Sequence, residues 1–137
     1  MVFIRLYHLS KTKDLTILEP KVPECAVPMF EDTTTKRVCF SDNIEGCLSA
    51  LQDGPSVYYV YILNEHIEES FLYYPSVNEV IDCKLTNEIW IKKKIHVKCI
   101  GIIQTQNYDW SKRHNTGIGK RATFFHYPYE WIEKFDL

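Results

Sequence analysis

Two dense runs of β-branched and aromatic residues, 56–63 (SVYYVYIL) and 94–104 (KIHVKCIGIIQ), commit this chain to a sheet. The first predicts a central strand. The second predicts a longer strand whose interior is Ile95, Val97, Cys99, Ile100, Ile102 and Ile103. A chain of 137 residues with 45% apolar residues can bury one core around such strands, so a single domain spanning 1–137 is expected, needing neither disulfide nor metal to fold. That apolar fraction also excludes disorder as the dominant state.

Shorter segments complete the pattern. Residues 1–8 predict a first strand, with Val2, Ile4, Leu6 and His8 on one face and Phe3, Arg5 and Tyr7 on the other. Residues 10–36 lack periodicity and hold Pro20, Pro23 and Pro28, which predicts a long structured loop. Its segment 19–30 suits a lid over a cleft or a contact surface.

Residues 36–41 predict a second strand, leading into Asp42 and Asn43 as capping residues. A helix over 44–52 follows, with Ile44, Cys47, Leu48 and Leu51 on one face, stopped by Asp53-Gly54-Pro55. The stretch 66–76 has room for one helical turn before Tyr73-Tyr74-Pro75. Residues 80–83 and 88–91 predict short strands, 107–121 a loop and 122–126 an edge strand. Residues 129–135 predict a terminal helical turn with Pro128 near its start. The sum is a strand-rich α+β domain with one main helix.

Sixteen Lys and Arg against eighteen Asp and Glu give a net charge of −2, so no global field draws the chain to nucleic acid or anionic lipid. No apolar run is long enough for a membrane-spanning helix, and the N-terminus lacks the pattern of a secretory signal. Cysteines stand at 25, 39, 47, 83 and 99, an odd number without a C-x-x-C pair, so reduced thiols and a cytoplasmic location are expected. The five histidines lack metal-binding spacing, and no metal site is expected. Gly117 and Gly119 lack phosphate-loop spacing. Lys112, Arg113, Lys120 and Arg121, with Trp110, form a local basic patch that reads first as a solvated loop.

Chemistry emerges from the order of three segments: a strand ending in Tyr7-His8-Leu9-Ser10, a strand and capped helix at Cys39-Phe40-Ser41-Asp42, and an acid opening a strand at Asn87-Glu88-Ile89-Trp90-Ile91. This order resembles the ADP-ribosyltransferase family, most closely the diphtheria-toxin-like branch that includes the poly-ADP-ribose polymerases. The match touches residues 6–10, 37–51 and 86–103.

The resemblance implies split antiparallel sheets with NAD, as substrate, bound between them. It gives His8 to the adenosine-side ribose and the Leu9 main chain to the nicotinamide carboxamide. Glu88 would take the nicotinamide-ribose hydroxyl and act with His8 as the catalytic pair. Ser10, Phe40, Ser41 and Tyr58 would complete the NAD contacts. The implied acceptor of ADP-ribose is a macromolecule, a protein ahead of a nucleic acid.

Two positions depart from the family pattern. Leu9 replaces a glycine, and Ala50 falls where the family has a stacking tyrosine, leaving Tyr58, Tyr59 or Phe40 to supply a ring. The alternative expectation is a non-catalytic binder of the same fold that grips a protein or nucleic acid through its loops.

Overall fold

The computed structural model describes residues 5–23, 26, 31–49, 51, 55–80, 83–106 and 127–135. The expected basic loop over 107–121 and edge strand over 122–126 lie outside them, as do Cys25, Ala50 and, of the expected helix stop 53–55, residues 53 and 54.

Among the described residues eight strands form one sheet: β1 (Tyr7–Ser10), β2 (Ile17–Leu18), β3 (Val38–Ser41), β4 (Val57–Leu63), β5 (Leu72–Tyr73), β6 (Glu88–Ile91), β7 (Ile95–Thr105) and β8 (Tyr129–Lys134). Their order is β2-β7-β4-β1-β3-β6-β5, with β8 also on β7, and each of these neighbours pairs antiparallel. Two short helices, α1 (Ile44–Ser49) and α2 (Cys83–Thr86), and a 3₁₀ turn at Glu69–Phe71 accompany the sheet. The architecture is α+β. No helix among the described residues is long and apolar enough to cross a membrane.

The two dense runs pair with each other as β4 and β7 over Val57–Leu63. Their register shifts between Val60 and Tyr61, where β7 carries one extra residue, Ile100. This bulge explains why β7 reads as a nearly continuous apolar run. Ile95 and Val97 face a core cluster with Leu6, Phe40, Tyr61 and Ile91, while Ile100 and Ile103 face a second cluster beneath α1 with Leu9, Leu48, Tyr58 and Val60.

Several expectations are corrected. The first strand is Tyr7–Ser10: of the expected 1–8, residues 1–4 lie outside the described residues, Arg5 and Leu6 precede the strand, and Leu9 and Ser10 extend it, pairing with Val60 and Tyr59. The long loop contains β2, which pairs Ile17 and Leu18 with His96 and Ile95. Residue 83 opens a helix rather than closing a strand. Val80 and Cys83 lie one turn apart, joined by a 3.2 Å bond from Cys83 N–H to the Val80 carbonyl, and both pack on Trp90.

The C-terminal segment is strand β8, not a helical turn. Tyr129 and Trp131 alternate inward with period two and pack on the α1-side cluster. The bare Cα of Gly101 makes room for this strand: a methyl there would sit 2.5 Å from the Glu133 carbonyl oxygen and 2.6 Å from the Trp131 ring. Helix α1 is also shorter than expected. Asn43 caps it, its Oδ1 accepting the Gly46 N–H at 2.5 Å, while Asp42 turns away to accept from the Asn43 and Asn87 side-chain amides at 2.7 and 3.2 Å.

The seam between β1 and β3 matters most for function. β1 shares four register pairs with β4, and β3 shares four with β6. Among the described residues β1 and β3 share one, Tyr7↔Ser41. The sheet is thus two plates, β2-β7-β4-β1 and β3-β6-β5, which part beyond that pair.

Candidate functional site

A pocket of about 100 Å³ opens at this seam. The described residues lining it are His8 and Leu9 from β1, Cys39, Phe40 and Ser41 from β3, Gly46, Cys47 and Leu51 from around α1, and Thr86 and Glu88 from the α2–β6 corner. An unbroken sheet would keep His8 and Glu88 apart. Register places His8 opposite Tyr61, on the face of the first core cluster. Glu88 lies opposite Ser41 and so shares the Tyr7 face, the other side. Both residues nonetheless line one hollow, at the place where the β1–β3 ladder is limited to a single pair.

His8 is half-buried, and its Nδ1 lies 2.8 Å from the Cys39 carbonyl oxygen. A carbonyl can only accept, so Nδ1 carries the proton. Burial is the main force pulling the His8 pKa below 6.5; the Cys39 carbonyl opposes it, and the positive charge of Lys21 adds to it. The ring is therefore neutral near pH 7, and Nε2 presents a lone pair. Phe40 lies against it, ring centroids 5.8 Å apart.

Glu88 is fixed by its neighbours in four ways. Asn87, before it, takes φ 55°, a left-handed conformation that asparagine tolerates. The Ser41 hydroxyl donates to the Thr86 carbonyl at 2.6 Å, and Asn87 bonds Asp42, so β3 and the start of α1 hold the corner. Gly46 lets the helix approach: a methyl there would overlap the Thr86 carbonyl oxygen and stand 2.5 Å from Ser41 Oγ. Finally, the Trp90 indole N–H donates to Glu88 Oε2 at 3.1 Å.

The remaining wall is apolar. Burial pushes the Cys39 and Cys47 thiols up to about 12, so neither is a thiolate nucleophile near neutral pH. The Cys47 thiol donates to the Tyr7 carbonyl at 3.3 Å. Among the described residues no group of three or more His, Cys, Asp or Glu side chains is arranged to hold a metal ion. The site thus combines an apolar cup, a neutral imidazole acceptor and a carboxylate.

Of the residues singled out from sequence, His8, Leu9, Phe40, Ser41 and Glu88 line the pocket, while Ser10 and Tyr58 are not among its lining. Ser10 Oγ instead accepts the Thr12 N–H at 3.0 Å. Tyr58 is buried in the α1-side cluster. Of the three candidate rings, Phe40 alone is among the lining residues. Sequence reasoning missed Gly46, Thr86 and the Glu88-to-Trp90 bond; the two-residue spacing of Glu88 and Trp90 along a strand carried the last of these. Comparison with protein-family models, curated proteins and solved structures gives no match to this chain.

Proposed function

We propose that this chain is an NAD-binding ADP-ribosyltransferase-like protein, its two plates being the split sheets of that fold, which transfers ADP-ribose to a macromolecular acceptor, a protein ahead of a nucleic acid. The observation that carries the reading is that His8 and Glu88, distant in sequence, line one hollow at the seam of a divided sheet. An enclosed apolar cavity of about 150 Å³ takes benzene; this pocket, about 100 Å³ and open at its mouth, would take part of a planar ring such as nicotinamide.

On this reading His8 Nε2 accepts a hydroxyl of the adenosine-side ribose, while the Leu9 main chain holds the carboxamide. Glu88 accepts from the nicotinamide-ribose hydroxyl. The C1′–N1 bond breaks and nicotinamide leaves with its electron pair, so positive charge spreads over the sugar. The Glu88 carboxylate, already held in place, stabilises that charge. A lone pair from the acceptor then forms the new bond to C1′, and its proton passes to solvent. Phe40 is the ring available to stack in place of the tyrosine missing at residue 50.

Incubation with labelled NAD tests the reading. Wild type should transfer label, and Glu88→Ala should lose on the order of a hundred- to a thousandfold in rate. Wild type that neither binds NAD nor yields labelled product overturns it. NAD binding without transfer, unchanged by Glu88→Ala, identifies a non-catalytic binder instead.

A further inference from the structure

We propose that Trp90 is a positioning residue, one that holds the Glu88 carboxylate in the pocket and acts on its occupant only through that carboxylate. Assignment of the site to NAD chemistry rests on the reading above; the link between Trp90 and Glu88 does not.

Glu88 and Trp90 are two residues apart on β6 and share a face, so the indole N–H reaches back along the strand to Oε2 at 3.1 Å. What distinguishes this contact is how firmly the donor is set. Trp90 is completely buried. From the β3 side the Arg37 guanidinium lies 4.1 Å from its ring centroid, and from the β5 side Tyr73 stacks at 5.4 Å with planes 28° apart. The stack continues outward, where Lys92 Nζ sits 3.7 Å from the Tyr73 ring centroid.

Arg37 is buried too. Nη1 donates to the main-chain oxygens of Asp32 and Thr35 at 2.7 and 3.0 Å, and Glu31 and Asp32 stand 3.7 and 3.5 Å away as counter-ions. Its Nε and Nη2 find no hydrogen-bond acceptor among the described residues. Besides these partners the cation lies over the ring face, an attraction that strengthens when water is excluded. Positive charge over the ring draws electron density from the indole and makes its N–H a better donor to an anion. A carboxylate is that anion.

Catalysis by a fixed charge depends on its being oriented before the reaction begins. Bonding to a donor that cannot rotate narrows the orientations open to the Glu88 carboxylate at the pocket wall.

The test pairs spectroscopy with kinetics. The chain has three tryptophans, so its ¹⁵N–¹H spectrum holds three indole resonances, and the one lost in Trp90→Phe belongs to Trp90. That resonance should move upfield in Glu88→Gln, where a neutral acceptor replaces the anion, and further in Glu88→Ala, where the acceptor is gone. In the NAD assay, Trp90→Phe should lower kcat about ten- to a hundredfold, the range for a hydrogen bond to a charged group, with KM within about twofold. Added to Glu88→Ala, Trp90→Phe should cost nothing more.

An indole resonance indifferent to both Glu88 substitutions overturns the proposal. So does a double variant that loses as much again as each single one. If wild type releases no nicotinamide from NAD, the transferase reading fails while the resonance still decides the role of Trp90. The resonance also serves if Trp90→Phe folds poorly, because both Glu88 variants leave the core intact.

Discussion

At the scale of single residues, the protonation of His8 is the most consequential feature. Its folded-state pKa lies below 6.5, mainly through burial, so the unfolded chain takes up the proton first as pH falls. The associated stability is complete above about pH 6.5 and drains away as pH drops toward the folded-state value. His8→Asn keeps an amide donor for the Cys39 carbonyl and has no such titration. Urea denaturation should therefore show the stability of wild type relative to His8→Asn shrinking between pH 7.5 and pH 5. A difference independent of pH would mean that His8 is as exposed as in the unfolded chain. Sequence reading reached His8 and Glu88 through the order of segments; strand spacing puts Trp90 on the Glu88 face, but nothing in local pattern marks the bond from the Ser41 hydroxyl to the Thr86 carbonyl.

At the scale of elements, the α1–β6 junction sets the shape of the pocket. Helix α1 has six residues, too few to be stable alone, so its place depends on contacts made by Ser49, Leu48 and Gly46. Gly46→Ala pushes a methyl into the Thr86 carbonyl and should cost about 1–3 kcal/mol, typical of overpacking. Equilibrium unfolding in urea measures this, and a variant as stable as wild type would show that the helix sits less tightly than described. Strands β4, β6 and β7 were legible because composition and burial agree in them. Strand β8 and helix α2 were not: Pro128 suits a helix start as well as a strand flank, and Val80 and Cys83 suit a strand as well as a turn. What decides is remote, the bare Cα of Gly101 beneath Trp131 in one case and the Trp90 ring in the other.

At the scale of the whole molecule, the sheet behaves as two units of unequal strength. β4 and β7 pair along seven residues of β4 and carry core on both faces, while β3, β6 and β5 form a smaller plate. Native-state hydrogen exchange should give the amides of β4 and β7 the largest opening free energies, with β3 and β6 opening at lower cost. One opening free energy common to all four strands would mean that the sheet is a single cooperative unit. Strand composition does not reveal which neighbours fail to pair, so the seam is not legible in the sequence.

That lone Tyr7↔Ser41 pairing has a mechanical consequence. The two slabs share one ladder pair but a common core, in which Tyr61 and Val97 of one pack with Val38, Phe40 and Ile91 of the other, and the hollow lies beside that pair. An occupant that touches His8 on one slab and Glu88 on the other would bridge the two. Its binding would then be felt in the stiffness of strands it never touches.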